Sequence, residues 1–300
     1  MYLSVSCGQD EPCEKAVTLV SARTNRPNKD FLIGLIMRVI LGETILLIDK
    51  LTHKAGKFTD YYNRKTKAAD MKERIIVTGA SRGIGRALVE ELKMRGEEVI
   101  SISRGEGPQC TYEDDEWKVM FDWQSYNQLI PLFKSVFDEG LRVKGVVNNA
   151  GVLKKASLLD VGLSEFEEHN RVNVWNPLML FKTLYREGYF TSDAHIVNIG
   201  SMGGIQGASK FPGLFSYGGS KSLLAALTES LDAEFGAEGL SFNYLALGAV
   251  NTEMLKEAFP GYFSQVTPEN MAKFIASFLL ESGSLMSGKL IQVAKSDPDT

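Results

Sequence analysis

Short apolar runs alternate with longer segments of helical periodicity from about residue 74 onward. A strand is predicted where apolar residues follow one another, and a helix where they recur every three or four positions. The predicted strands are Arg74–Val77, Val99–Ser103, Trp117–Phe121, Gly145–Asn148, Ala194–Ile199, Leu240–Leu245 and Lys289–Val293. The predicted helices cover residues 84–94, 125–138, 164–186, 217–235 and 268–280. This alternation predicts an α/β fold with a doubly wound parallel sheet of these seven strands.

The first seventy residues do not follow this alternation. Residues 1–30 are polar, lack the features of a signal peptide, and predict a loose tail. Residues 31–48 are apolar apart from Arg38 and Glu43, and as a helix they would span roughly 27 Å, just short of a bilayer core. A basic linker follows up to residue 70. We predict an N-terminal helical appendage that either docks on a protein surface or lies at an anionic membrane interface.

The main domain is predicted to cover residues 71–300, because the strand–helix alternation begins there at once. The net charge of −4 argues against a nucleic-acid-binding surface, and 44% apolar residues suffice for a large core. None of the three cysteines lies in a CxxC pair, and although Cys7 and Cys13 could pair, free thiols in a reducing compartment fit better. The three histidines form no metal-binding pattern, so we expect no metal and a cytoplasmic location, with or without membrane association.

A glycine-rich turn, residues 78–85 with the sequence TGASRGIG, joins the first predicted strand to the first predicted helix. Glycines let a diphosphate approach the backbone, and a helix start offers free N–H groups and the positive end of the dipole. The TGxxxGxG spacing differs from the GxGxxG dinucleotide fingerprint. Alone, the turn could also be an ordinary connection between a strand and a helix.

The ends of the next two predicted strands bear on the choice of dinucleotide. The second ends in Ser103-Arg104 with no acidic residue, whereas NAD sites place a carboxylate there to bind the ribose 2′-hydroxyl. Arg104 and Arg82 would instead neutralise the 2′-phosphate of NADP, unless both are ordinary solvated residues. Asp122 and Trp123 follow the third strand, where Asp122 could accept from the adenine amino group and Trp123 could cover the ring. Asp122 could also cap the following helix.

Polar residues also end the fourth and fifth predicted strands. Asn148 and Asn149 leave an apolar strand and need hydrogen-bond partners in the neighbouring backbone, while Ala150-Gly151 leaves room for a ribose. Ser201 ends the fifth strand and could donate to a carbonyl oxygen.

The pair Tyr217 and Lys221 lies at i, i+4 on one face of a predicted helix. An ammonium near a phenol favours the phenolate, so Tyr217 could exchange a proton near neutral pH. The YxxxK spacing alone also fits a surface pair.

Together these motifs resemble the short-chain dehydrogenase/reductase family. TGASRGIG, NNAG, the serine of VNIGS and YGGSK occur in the family's order over about residues 71–293. The resemblance implies a Rossmann-type sheet, a nicotinamide cofactor and reversible carbonyl/alcohol chemistry.

Individual roles follow from the resemblance. It implies that Tyr217 is the catalytic acid/base, that Lys221 lowers the tyrosine pKa and holds the nicotinamide ribose, and that Ser201 orients the substrate oxygen. It implies that Asn173 holds a water on the proton relay. The cofactor-binding residues that it implies, together with those argued above, are Gly79, Ser81, Arg82, Gly83, Ile84, Gly85, Arg104, Asp122, Trp123, Asn149, Ala150, Gly151, Tyr217, Lys221, Val250 and Thr252.

The chain departs from the family pattern in three places. Leu247 replaces the proline of the PGxxxT segment, which predicts a looser turn. The interval from Ser201 to Tyr217 is about three residues longer than is typical, and the extra length in residues 203–215 is expected to reshape the substrate mouth. Residues 287–293 lack the paired glycines that accompany the family's tetramer contacts.

We therefore predict an NADP(H)-dependent short-chain dehydrogenase/reductase that reduces a ketone or aldehyde, with a 3-oxoacyl chain as the default substrate. The apolar residues after Thr252 predict a flap over the site, or plain helix packing. The expected partners are a small-molecule carbonyl substrate, a second copy of the chain as a homo-oligomer, and a membrane surface through residues 31–48, but no nucleic acid. The alternative is a non-catalytic NADP-binding regulator at a membrane. A serine hydrolase is excluded because GxSxG would require glycine at Ile199.

Overall fold

The structure is a computed structural model that describes residues 72–105, 109–122, 128–137 and 140–295. Eight strands in these ranges form one sheet in the order β3-β4-β2-β1-β5-β6-β7-β8. The strands are β1 Glu73–Thr78, β2 Glu98–Ser103, β3 Gln109–Glu113, β4 Glu116–Met120, β5 Arg142–Asn148, β6 Phe190–Ser201, β7 Ser241–Leu247 and β8 Lys289–Val293. The helices are α1 Gly83–Met94, α2 Leu129–Phe137, α3 Leu163–Asn170, α4 Asn176–Arg186, α5 Phe215–Phe235, α6 Glu253–Ala258 and α7 Pro268–Glu281.

Apolar residues cover both faces of this sheet, which confirms the doubly wound Rossmann-type fold. Ile75 and Val77 of β1 point to one face, where they pack with α1 and α7, and Ile76 points to the other, where α2 and α4 pack. Because side chains alternate along a strand, one apolar run supplies both cores. Each adjacent pair from β4 to β8 in this order is parallel, so the carboxyl ends of these strands share one edge.

The sheet has one strand more than the seven predicted. The added strand, β3, pairs antiparallel with β4 at the edge of the sheet. Most of its residues are exposed and polar, so it has no apolar run to reveal it. Asp114 and Asp115 join β3 to β4 with φ of 51° and 57°, a conformation that aspartate tolerates in hairpin turns.

The predicted helix over residues 164–186 is interrupted. A π-helical turn, Arg171–Trp175, separates α3 from α4 and carries Asn173. Such turns insert one extra residue into a helix and occur often at functional sites. Helix α6 was not predicted as a helix; the hydroxyl of Thr252 caps it by accepting from the Leu255 N–H at 3.3 Å.

Several predictions lie outside the described residues: the tail of residues 1–30, the apolar stretch 31–48, the linker up to residue 70, and Trp123. Among the helices that the structure does describe, none has the length and apolar content needed to span a bilayer.

Candidate active site

The glycine-rich turn between β1 and α1 cannot carry side chains at two of its positions. A Cβ on Gly79, which has φ of +68°, would lie 2.7 Å from the Ala150 Cα, and one on Gly85 would lie 2.2 Å from the Gly79 carbonyl oxygen. The N-cap of α1, Arg82, makes no capping hydrogen bond through its side chain. The turn therefore has the close-packed backbone and open helix start that a diphosphate requires.

Asn149 fixes this turn to the end of β5. Its Nδ2 donates to the carbonyl oxygens of Thr78 at 3.0 Å and Gly79 at 3.2 Å, and the Ala150 N–H donates to Thr78 Oγ1 at 3.0 Å. Asn149 thus has the backbone partners that its sequence position predicted. Asn148 does not, because its Nδ2 donates to the Asn198 side chain at 2.8 Å.

A cavity of about 700 Å³ opens at the carboxyl ends of the parallel strands. This edge is where open α/β sheets bind ligands. The predicted site residues that line it are Gly79, Ser81, Arg82, Gly83, Ile84, Arg104, Asp122, Asn149, Ala150, Gly151, Ser201, Tyr217, Lys221, Val250 and Thr252. Gly85 and Asn173 lie behind the wall of the cavity, and Asn173 is fully buried.

Tyr217, Lys221 and Ser201 meet in this cavity. Tyr217 and Lys221 are only 9% and 4% exposed, which rules out a surface pair. The Tyr217 hydroxyl forms a hydrogen bond with the Ser201 side chain. The Lys221 Nζ donates to the Ile199 carbonyl oxygen at 2.8 Å and lies 6.0 Å from the centre of the Tyr217 ring. A proton donor, a second donor and an amine therefore face one space.

Burial dominates the protonation of these groups. It raises the pKa of Tyr217, and the hydrogen bond from Ser201 opposes part of that rise. Burial also lowers the pKa of Lys221 to about 8. The resemblance implied that the Lys221 amine lowers the pKa of Tyr217. Burial is the dominant effect here instead, since removal from water favours the neutral form of each group.

Asn173 is held on three sides from its π-helical turn. Its Oδ1 accepts from the Val152 N–H at 2.8 Å, and its Nδ2 donates to the Val152 carbonyl oxygen at 3.0 Å and to Ser220 Oγ at 2.9 Å. A Cβ on Gly151 would lie 3.4 Å from Asn173 Oδ1 and 3.7 Å from Lys221 Nζ. Asn173 and the amine therefore flank the same glycine.

His169 is a neighbour of the site to which the sequence analysis assigned no role. Its ring lies 6.4 Å from the Tyr217 ring, edge to face, and its Nε2 accepts from the Lys154 N–H at 3.0 Å. Burial lowers the pKa of His169. The spacing of four residues between His169 and Asn173 was the one available signal that it lies near the site.

Comparison with known proteins assigns the part of the chain that carries these motifs to one family. The family described as short chain dehydrogenase matches residues 73–262. The chain belongs to the short-chain dehydrogenase family. This confirms the resemblance seen in the sequence and makes the protein an oxidoreductase of that family.

Relatives of this short-chain dehydrogenase include 3-oxoacyl-(acyl-carrier-protein) reductases. The Vibrio cholerae enzyme is 31% identical over 185 residues, 60% of this chain and 75% of the relative. The Haemophilus influenzae enzyme is 28% identical over 235 residues, 73% of this chain and 95% of the relative.

Two solved structures illustrate the likeness in fold. ElxO with NADP bound superposes with a TM-score of 0.64 at 24% identity, over 75% of this chain and 98% of that one. A 4-hydroxyisoleucine dehydrogenase complexed with NADH gives 0.61 at 21% identity, over 74% and 97%.

The mouth of the cavity in this short-chain dehydrogenase is formed by the lengthened segment 203–215 and the residues after Thr252. The rings of Phe211 and Phe259 meet at 5.3 Å, and the Lys155 Nζ lies 5.1 Å from the centre of the Phe259 ring. The Ala156 N–H donates to the Gly213 carbonyl oxygen at 2.9 Å, which ties the segment to the strand-end loop. The predicted flap thus packs on the lengthened segment rather than on helices alone.

Leu247 stands immediately before the turn that is predicted to be looser. It is buried, ends β7, and stands in register with Ser201 and Val293. The next N–H, of Gly248, donates to the Val293 carbonyl oxygen at 2.9 Å. This backbone hydrogen bond holds the start of the turn to β8.

Proposed function

We propose that this short-chain dehydrogenase is an NADPH-dependent carbonyl reductase. The observation that carries the proposal is the meeting of buried Tyr217, Lys221 and Ser201 in the cavity that the glycine-rich turn opens into. A dinucleotide on that turn would place its far end toward these side chains. When bound, the nicotinamide supplies the hydride that adds to the carbonyl carbon.

The protein's own residues donate and resupply the proton. The Tyr217 hydroxyl protonates the carbonyl oxygen as the hydride arrives, and Ser201 donates a second hydrogen bond to that oxygen. Lys221 and Asn173 resupply the tyrosine through water. Positioning contributes several kcal/mol in such reactions, and the acid/base step about 10²–10⁴-fold.

The coenzyme preference rests on two arginines at one end of the cavity. Arg82 and Arg104 are exposed and both line the cavity, and the residue directly after Ser103 is not acidic. Within the described residues, Arg82 pairs with the carboxylate of Glu257, 3.9 Å away, and this exposed pair contributes little. Both guanidinium groups are thus available to a 2′-phosphate, which supports NADPH over NADH.

The substrate proposed is an apolar carbonyl compound, with a 3-oxoacyl chain as the first choice. Phe211, Phe259, Leu214 and Met254 line the cavity and offer an apolar surface. The names of the Vibrio and Haemophilus relatives support the same class. The aromatic pair at the mouth would contact the chain beyond the reacting carbonyl.

The test is a panel of ketones, aldehydes and 3-oxoacyl thioesters, each with NADPH and with NADH, applied to the natural protein and to Tyr217→Phe. We expect turnover to fall about 100-fold or more in the variant, because only the proton donor is lost, while NADPH binding changes little. Tyr189→Phe is the matched control, since Tyr189 is also buried but does not line the cavity. Near-normal turnover of Tyr217→Phe would contradict the proposal.

The same panel separates the enzyme from the alternative of a non-catalytic NADP-binding regulator. Tight NADPH binding with no turnover of any carbonyl would favour the regulator. The burial of Tyr217 and Lys221, with Tyr217 hydrogen-bonded to Ser201, supports the enzyme, because binding alone does not require a proton donor there.

The remaining expectations concern assembly and location. A homo-oligomer is supported by large apolar side chains on the surface of α3, α5 and the π-helical turn, such as Phe166, Trp175 and Phe215. The domain division near residue 70, the cytoplasmic location and the membrane contact through residues 31–48 stay predictions.

A further inference from the structure

We propose that Tyr244 is a positioning residue that holds Ser201 and Lys221 at a fixed separation. This inference rests on the proposed function, which assigns the proton chemistry to those side chains. Tyr244 lies in β7, is 1% exposed, and does not line the cavity. It therefore acts through other residues and not on the substrate.

The hydroxyl of Tyr244 links two elements of the site. It accepts from the Ser201 backbone N–H at 3.2 Å and donates to the Lys221 backbone carbonyl oxygen at 3.0 Å. A phenol has one hydrogen to donate, and Tyr244 directs it to the helix that carries the amine. One side chain thus joins the end of β6 to the second turn of α5.

Gly200 is the complement of this tyrosine. A Cβ on Gly200 would lie 1.8 Å from Tyr244 Cζ and 2.1 Å from its hydroxyl oxygen. No side chain can occupy that space while the ring is present. Gly200 and Tyr244 therefore form a matched pair: because Gly200 has no side chain, the Tyr244 ring fits against the backbone next to Ser201.

Other hydrogen bonds also join this region to α5, from Asn198 Nδ2 to Thr228 Oγ1 at 2.9 Å and from Ser222 Oγ to the Gly204 carbonyl oxygen at 2.6 Å, but neither is made by the backbone of Ser201. The Lys221 Nζ donates to Ile199, two residues before Ser201, and that bond depends on a flexible lysine chain. The Tyr244 bonds join backbone to backbone through a rigid ring. Without the hydroxyl, the Ser201 backbone would lose its bond to this ring and only the side-chain bond to Tyr217 would tie Ser201 to the helix; a displacement of about 1 Å can cost 10²-fold in rate.

The experiment compares Tyr244→Phe with Tyr189→Phe in the full chain. Phenylalanine keeps the ring that fills the space at Gly200 and removes only the hydroxyl. We expect kcat to fall about 10- to 100-fold while the Kd for NADPH stays within about twofold. Hydrogen exchange at the Ser201 amide should accelerate in Tyr244→Phe and stay unchanged in Tyr189→Phe. Natural kcat together with natural exchange in Tyr244→Phe would overturn the inference, as would an equal loss of kcat in both variants.

A second pair of variants keeps the test informative if Tyr244→Phe folds poorly. Gly200→Ala should be strongly destabilised on its own but tolerated once Tyr244→Ala has removed the ring, so the two changes should be non-additive. Additive losses would contradict the matched pair. Failure of the natural protein to reduce any carbonyl would instead contradict the proposed function, whereas the exchange and stability measurements would still decide the role of Tyr244.

Discussion

Burial of Lys221 disfavours the charged form of its amine, and this makes the stability of the fold depend on pH. Its pKa is lowered from 10.5 to about 8, so the unfolded chain binds the proton more tightly than the folded one. Between these two pH values the unfolded chain binds more protons than the folded one. The free energy of unfolding should therefore rise with pH in this range.

The prediction is made on the difference between the natural protein and Lys221→Met, in which other titrations cancel. The natural protein should gain about 2 kcal/mol on the variant between about pH 7 and about pH 9.5, as measured by urea unfolding. Lys289→Met, at an exposed lysine of β8, serves as the control and should show no such gain. A constant difference across this range would mean that the amine is not buried as described.

Arg104 tests the coenzyme preference at the scale of one side chain. If its guanidinium pairs with a 2′-phosphate, Arg104→Ala should lower kcat/KM with NADPH about tenfold or more and leave the value with NADH unchanged, because charge-assisted bonds contribute about 1.5–3 kcal/mol. The control is Arg95→Ala, whose side chain bonds Glu91 and Ser277 on the outer surface. Equal losses with both coenzymes would show that Arg104 acts on the shared part of the dinucleotide.

At the scale of elements, the segment 203–215 and the residues after Thr252 act as one mouth because Phe211 and Phe259 join them. Phe259→Ala should raise KM for apolar carbonyl substrates about tenfold and leave the Kd for NADPH unchanged, since a lost apolar contact changes discrimination by 1–3 kcal/mol. Phe274→Ala, on the outer face of α7, is the matched control. The KM values come from steady-state kinetics over a series of chain lengths. A uniform KM across that series would rule out contact between this ring and the substrate chain.

The sequence predicts an element when the residues that determine it are close together in the chain. The strand–turn–helix unit from β1 to α1 carries its signal locally, in an apolar run, fixed glycines and a helical period, and it was predicted closely. Strand β3 has no such signal, because a polar edge strand is stabilised only by pairing with β4. The π-helical turn at Asn173 has no local pattern either, and the partner of the Asn173 side chain, Val152, lies 21 residues away in the chain.

The same reasoning applies to the candidate site. Residues in spaced motifs, such as Tyr217 and Lys221, could be assigned from the sequence, whereas Tyr244 could not. Its contacts cross from β7 to β6 and α5, and the only trace in the sequence is a glycine just before Ser201. The shift in the pKa of Tyr217 could not be predicted from the sequence either. Its direction depends on burial, which is known only once the helices have packed on the sheet.

For the whole molecule, the parallel sheet collects its polar strand ends at one edge, and the cavity forms there. The whole chain carries a net charge of −4, so attraction to an anionic membrane would have to come from a local segment. Residues 49–70 carry the basic side chains Lys50, Lys54, Lys57, Arg64, Lys65 and Lys67 directly after the apolar stretch.

The last prediction concerns that N-terminal region. The full chain should bind vesicles that contain anionic lipid, and a chain beginning at Met71 should not, because the apolar helix predicted for residues 31–48 and the basic segment after it would together supply the two signals that stable binding needs. Binding should weaken at high salt, since each Lys or Arg near the surface contributes about 1 kcal/mol that ions screen. Co-sedimentation with anionic and with neutral vesicles measures both effects. Equal partition of the two chains would leave docking on a protein surface as the role of residues 31–48.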